Sequence, residues 1–439
     1  MKIRYGKIAF VFLIAITIFL LLYPANHPEA TGDEFDKANI AWIISASGLV
    51  LLMTPGLSFF YGGMVSPKNI ISTMLQSFIA LGVISFLWYV VGFSLAFGDS
   101  IGGIIGNPIT FFMFDNVGTV PHTVIGTSIP LILFAAFQLK FAIITPALIT
   151  GSFAERVRFW AYVLFMCLFC IFIYCPLAHW TWHPEGFLYK WGVLDFAGGT
   201  VVHISAGIAA LVGAIVLGPR ETHSKHHEFQ PVNIPYVILG TGLLWFGWFG
   251  FNAGSALEAN ALAVKAFVNT NLASAAAMIA WILMDAYLGK KPGALGACIG
   301  AVVGLVAITP AAGFVDYQYS IVIGVIAAIV SNYAVRFKSK TSLDDTLDVF
   351  PCHGVGGIVG MIATGIFASN GGLITGETQL FLYHLLGLVI VSVFVFVGSF
   401  LLFKLTGLLI PLRVKKEQEA LGLDLSQHAE SVYKGEMNY

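Results

Sequence analysis

Two histidines, His203 and His353, sit inside long apolar stretches of the chain, each with glycines at helical spacing beside it. Gly199 and Gly207 lie four residues to either side of His203, and Gly356, Gly357 and Gly360 follow His353. On a helix each set shares one face, smooth enough for a neighbouring helix to approach closely, with a single imidazole on it. An ionisable side chain at membrane depth is costly and is by default a functional site. A neutral imidazole offers one donor and one acceptor, enough to guide a polar solute or pass a proton. Packing is the competing reading, with each ring bonded to a carbonyl or hydroxyl of the next helix. The matched settings of the pair favour function. A metal held by His203, His353 and Cys352 would need further ligands, and the chain has neither a His-Glu-x-x-His helix nor a nearby carboxylate or Cys set. No metal and no cofactor is expected.

Aromatic residues form the second group. Phe137 and Phe141 are four apart and flank Gln138, while Phe251 and Ser255 are four apart, so each pair shares a helix face. Trp182 falls just beyond a predicted span, where a vestibule would be. Lipid contact or an interfacial belt explains any one of these equally well. Asp195 and Asp348 each open a Gly-rich span that carries one of the histidines. Their expected role is structural, as N-caps favoured by the helix dipole. Asp195 has a further electrostatic reading, lying about 12 Å from His203 along a helix.

The elements that must hold these residues follow from composition. Of 439 residues, 58% are hydrophobic and 10% charged, and the mean hydropathy is +0.86. These values place the chain in the membrane class. The net charge of -1, with no basic stripe, argues against a nucleic-acid partner. Windows long enough to cross a hydrocarbon core predict an all-α membrane protein of eleven transmembrane helices. They cover 39–62, 69–97, 122–150, 159–179, 196–218, 234–253, 267–288, 293–311, 318–336, 350–369 and 380–406. Ahead of them, Lys2, Arg4 and Lys7 precede an apolar run from Ile8 to Leu22. That layout predicts a cleaved secretory signal within 1–30, with an uncleaved extra span as the alternative. Residues 31–410 then form one membrane domain and 411–439 a tail.

Lys68, Arg156, Arg158, Arg220, Lys225, Lys290, Lys291, Arg336, Lys338, Lys340, Arg413, Lys415 and Lys416 gather in alternate connections. By the positive-inside rule these face the cytoplasm, putting the mature N-terminus outside and the tail inside. All five cysteines lie in or beside spans, so no disulfide framework is expected; Cys167 and Cys170 read as packing residues. The two Asp-to-His stretches enter from opposite sides. Together with Thr145-Pro146 and Thr309-Pro310 they predict a five-plus-five inverted repeat.

Four long stretches carry a specific resemblance. They are Met53-Thr54-Pro55-Gly56-Leu57 with Phe59-Phe60-Tyr61-Gly62-Gly63-Met64; the run from Asp195 to Arg220; Gly247 to Ser255; and His353-Gly354-Val355-Gly356-Gly357. In order and in length they resemble the ammonium transporter (Amt/Rh) family across both halves. The resemblance implies transport of ammonium or ammonia, with methylammonium as a further substrate, through a homotrimer with one pore per subunit in the plasma (inner) membrane. It also implies a recruitment site at Phe141, Trp182 and Ser255, a gate of Phe141 and Phe251, and pore histidines His203 and His353. Control by a PII-class signalling protein at the cytoplasmic face is part of the same implication.

Three features depart from the pattern or add to it. Lys140 is a charge inside a span, beside the gate phenylalanine. Ala429 stands in the tail where the family has a glycine, a substitution that costs something if the backbone there is left-handed. His223, His226 and His227 read as a solvated loop. The alternatives are an ammonium sensor signalling through its tail and a membrane-embedded metalloenzyme; neither a fused signalling domain nor a third metal ligand is present in the sequence.

Overall fold

A chain inside hydrocarbon must satisfy its backbone N–H and C=O groups within each segment, so apolar stretches of this length become helices. The computed structural model describes residues 2–31, 35–224 and 231–432. Among them, eleven helices are long and apolar enough to cross a membrane. Together with one shorter apolar helix, in chain order, they are α1 (Tyr5–Leu22), α2 (Lys37–Met64), α3 (Pro67–Phe97), α4 (Leu131–Phe153), α5 (Phe159–Lys190, interrupted after Trp182), α6 (Gly199–Leu217), α7 (Ile234–Gly254), α8 (Ala261–Tyr287), the shorter α9 (Ala294–Ile308), α10 (Tyr317–Lys338), α11 (Phe350–Phe367) and α12 (Gln379–Leu409). A hairpin of β1 (Ser100–Ile101) and β2 (Ile105–Gly106) follows α3. Lys225, His226 and His227 lie outside the described residues, as does the tail from 433.

The all-α membrane architecture expected from the sequence is what the structure shows, with every predicted span present in α2 to α12. Several boundaries moved, three of them for a clear local reason. α4 starts at Leu131 rather than 122, because Pro130 precedes it and Gly126 turns the loop with φ 55°. α9 has 15 residues, about 22 Å of helix, and ends just before Pro310. Its residues from Gly300 to Ile308 are all buried, so neighbouring helices rather than lipid surround it. α5 remains helical as far as Trp182, which is therefore the last residue of its helix and not a loop residue.

The apolar run ahead of α2 forms a helix with mostly exposed side chains. The extended segment after it lies along the loop beyond β2. The Asn26 N–H donates to Asp115 Oδ1 (2.7 Å), the Thr119 N–H to the Pro28 carbonyl (2.8 Å), and the Ala30 N–H to Thr119 Oγ1 (2.9 Å).

α6 and α11 each open with a widened turn, Gly199–Ile204 and Phe350–Val355, and each turn carries its histidine. Turns of this π type recur at functional sites. The two helices cross at glycine. A Cβ on Gly207 would overlap the Gly354 backbone, and one on Gly357 would press on Ile204 and His203. The residue four beyond each histidine thus meets the residue one beyond the other, a reciprocal contact of the kind a local two-fold axis produces.

One end of the bundle is basic. There the Arg220 guanidinium makes two hydrogen bonds to Asp344 (2.9 and 3.0 Å) and one to Glu155 (2.8 Å), and Arg156 bonds the Thr346 hydroxyl and the Asp344 carbonyl. All of these side chains are almost fully buried. Burial alone would raise the Asp344 carboxyl, but the hydrogen bonds from Arg220 and the charge of Arg156 outweigh it and hold the group down to about 2. The tail packs on this end through α13 (Lys416–Leu421). Asp424 beyond it accepts the Ile71 and Ser72 N–H groups near the start of α3 (3.0 and 2.7 Å). Ala429 has φ 59°, the left-handed conformation a glycine would adopt without strain.

Candidate functional site

At the end opposite the basic one, α4, α5, α7 and the 122–130 loop enclose a cavity of about 340 Å³, whose lining includes Phe141, Trp182, Ser255, Gln138 and Glu258. Trp182 is held by a hydrogen bond from its indole N–H to the Asp195 carbonyl (3.1 Å), and its ring meets Phe141 edge-on with centroids 5.8 Å apart. The Ser255 hydroxyl donates to the Phe251 carbonyl (2.8 Å), which leaves its lone pairs turned to other donors. The Gln138 amide oxygen is buried without a protein partner.

Phe141 forms the floor of that cavity. Its ring lies 4.3 Å from that of Phe251, and both side chains are buried, so the two rings close the way inward. Beneath them the Phe251 and His203 rings are 5.9 Å apart. His203 stacks on Trp248 at 5.2 Å, and Trp248 is locked by its indole N–H donating to Thr309 Oγ1 (2.9 Å). His203 Nδ1 and His353 Nδ1 are 3.3 Å apart, with the rings stacked at 5.4 Å. One Nδ1 must therefore carry a proton and the other accept it. His203 Nε2 has no hydrogen-bond partner among the described residues although it is buried. Beyond His353 a narrow gap of about 10 Å³ is lined by Tyr61, Cys352, Leu347 and Phe60. Cavity, ring pair, imidazole pair and gap follow one another in a single series inside the bundle.

The aspartates are divided differently from the sequence expectation. Asp195 does cap its helix, accepting the N–H groups of Gly198, Gly199 and Thr200 and the Thr200 hydroxyl at 2.5–2.9 Å. In the other half the cap is Asp345, which accepts the N–H groups of Val349 and Phe350 (3.1 and 2.7 Å). Asp348 is not the cap. It takes the left-handed conformation (φ 57°), as Gly198 does at the matching position, and pairs with Lys338 at 2.7 Å. The register shows why: Asp345 stands eight residues before His353, as Asp195 stands eight before His203.

The structure thus brings Phe141, Phe251, Trp182, Ser255, His203, His353 and Asp195 to one path. Trp248 and Glu258 were not singled out in the sequence, and Thr309 only as a mark of the repeat, since an aromatic or a hydroxyl in an apolar span, or a carboxylate in a connection, gives no signal of its partner. Lys140 is half-buried, lies outside the cavity lining and makes no ion pair among the described residues. No group of three His, Cys, Asp or Glu side chains among the described residues is placed to hold a metal, so Cys352 adds none to the histidine pair.

Comparison with known proteins gives a consistent picture. The model of the Ammonium Transporter Family matches residues 41–433. A putative ammonium transporter of Methanothermobacter thermautotrophicus is 46% identical over 409 residues, covering 91% of this chain and 99% of that protein. An ammonium transporter of Bacillus subtilis is 46% identical over 405 residues, covering 89% of this chain and 96% of the relative. Among solved structures, Saccharomyces cerevisiae Mep2 superposes with a TM-score of 0.85 at 37% identity, covering 92% of this chain and 93% of that one.

Proposed function

The chain belongs to the Ammonium Transporter Family, a family of multi-pass membrane transporters and not of enzymes, and from that premise we propose that ammonium enters at Trp182 and leaves past His353. The observation that carries this reading is the unbroken series Trp182, Phe141, Phe251, His203, His353, each ring within 6 Å of the next. The cavity end faces outward and the basic end faces the cytoplasm, as the Lys and Arg distribution requires.

In the cavity the faces of Trp182 and Phe141 and the free lone pairs of Ser255 suit an N–H-rich cation. A cation–π contact gives roughly 2 kcal/mol when desolvated, whereas carrying the intact ion into a low-dielectric path costs tens of kcal/mol. The cation therefore gives up its proton near the Phe141/Phe251 gate. Ammonia then passes the imidazoles, while the proton is left behind or travels by a separate route. The Nδ1–Nδ1 contact fixes what the imidazoles present. Where His353 donates, His203 carries its proton on Nε2 and offers a donor to the ammonia lone pair; with the roles reversed, Nε2 accepts an N–H.

Methylammonium, a homotrimer in the inner membrane and a PII-class partner at the docked tail extend the same reading. So do a mature N-terminus outside and a removable leader within 1–30. Relatives that bear the name transporter support conduction over sensing.

The test uses purified protein in liposomes, pulsed with ammonium while the transient current is recorded on a solid-supported membrane. The wild type gives a saturable ammonium-dependent current, and His203→Ala with His353→Ala abolishes it or lets other monovalent cations through. An unchanged current and selectivity in the double variant would sink the imidazole path.

A further inference from the structure

We infer that Glu258 is the charged element of ammonium capture, a carboxylate held at the mouth of the cavity to raise the local cation concentration ahead of the aromatic cage. This rests on the transport reading above and adds a residue to it. Among the residues lining the cavity, Glu258 is the one carboxylate, and no Lys, Arg or His stands beside it.

The backbone delivers it there at some cost. Leu257 takes φ 59°, which side-chain-bearing residues rarely adopt. Such strain persists only where the surroundings over-determine it. Here the Leu257 N–H donates to the Gly254 carbonyl at the end of α7 (2.9 Å), and Ser128 Oγ from the facing loop donates to the Leu257 carbonyl (3.0 Å). Asn39 of α2 accepts the Ala259 N–H (2.8 Å). The carboxylate is then oriented by the Asn260 amide, which donates to Glu258 Oε2 (2.8 Å) while its own oxygen caps α8 through the Ala263 N–H. Glu258 Oε1 has no hydrogen bond to the described residues.

The turn that makes this approach also positions Ser255 in the same lining. The Glu258 carboxylate and the Ser255 hydroxyl therefore belong to residues of one aromatic-walled lining that contains no Lys, Arg or His. A cavity lined by one sign of charge with low-dielectric walls focuses its field and concentrates counter-ions.

A purely structural role is the competing account, with Glu258 serving only to anchor Asn260. Glu258→Gln separates the two, because the glutamine carbonyl keeps the Asn260 bond and removes only the charge. In vesicles of neutral phosphatidylcholine at low ionic strength, Glu258→Gln raises the half-saturating ammonium concentration by roughly threefold to fivefold, the effect of one unit charge across a few ångströms of water. The change falls on half-saturation rather than on maximal current. Glu258→Asp keeps most of the wild-type affinity, and at about 0.5 M inert salt the difference between wild type and Glu258→Gln collapses.

Half-saturation equal to the wild type at low salt, or a difference that salt leaves intact, overturns the inference. A wild-type half-saturation that does not rise with salt in the same neutral vesicles overturns it independently of any variant. If the wild type itself carries no ammonium current, the transport reading fails instead.

Discussion

At the residue scale, three positions show how much one side chain's place in the local register matters. Asp345 and Asp348 are three apart and both acidic, yet only Asp345 accepts the backbone N–H groups that open α11. Its carboxylate is buried, so Asp345→Asn exchanges charge-assisted bonds for neutral ones and is expected to destabilise the protein by about 2 kcal/mol. Asp348→Asn gives up a partly exposed pair with Lys338 and should cost under about 1 kcal/mol. Thermal unfolding in detergent ranks the two, and the reverse order would contradict the assignment. Ala429 carries the other strain. Glycine at φ 59° removes a Cβ penalty of about 1 kcal/mol, so Ala429→Gly should dock the tail more firmly and slow its cleavage by trypsin at Lys415 and Lys416. The sequence marked both histidines and the alanine. In sequence Asp348 is the acid nearest the Gly-rich span, whereas the cap is Asp345, at the eight-residue spacing from its histidine that Asp195 also keeps.

At the element scale, helix identity was legible and helix ends were less so. Periodicity and apolar length locate the spans, since hydrocarbon admits nothing else. The ends depend on single residues whose effect is local: Pro130 delays α4, and Pro310 stops α9 short. The widened turns around His203 and His353 had no sequence signature beyond the glycines, because a π-type turn is decided by what the extra residue packs against. The crossing of α6 and α11 depends on the absence of a side chain at Gly207. Gly207→Val would force the helices apart where the imidazoles meet. The expected outcome is loss of more than about 3 kcal/mol, or no folded protein, because backbone cannot yield as a flexible side chain does. Size-exclusion chromatography of the solubilised variant would show it, and a normal monodisperse peak with full transport would refute the close crossing.

At the scale of the whole molecule, the cluster of Arg156, Arg220, Glu155 and Asp344 ties together the connections before α5, after α6 and before α11. Asp344 is held near 2 against an ordinary value of 3.8. A depressed carboxyl stabilises the fold above its unfolded value and loses that contribution as pH falls through the folded one. The protein is therefore expected to lose about 2 kcal/mol between pH of about 4 and about 2. Arg220→Met, which takes the ion pair from buried Glu155 and leaves Asp344 with Arg156, should flatten that window and melt lower at neutral pH by several kcal/mol. Melting curves across pH check both.

The sequence by itself determined the membrane class and the order of the spans, and it proposed their orientation by positive charge and the pore histidines, because each follows from composition or from spacing within one segment. The tertiary structure decided that His203 and His353, 150 residues apart, share an Nδ1–Nδ1 contact, that Phe251 closes on Phe141, and that Glu258 looks into the cavity. Those facts depend on how helices cross. Crossing is fixed by complementary surfaces on distant segments, and no single stretch of chain contains both halves of such a fit.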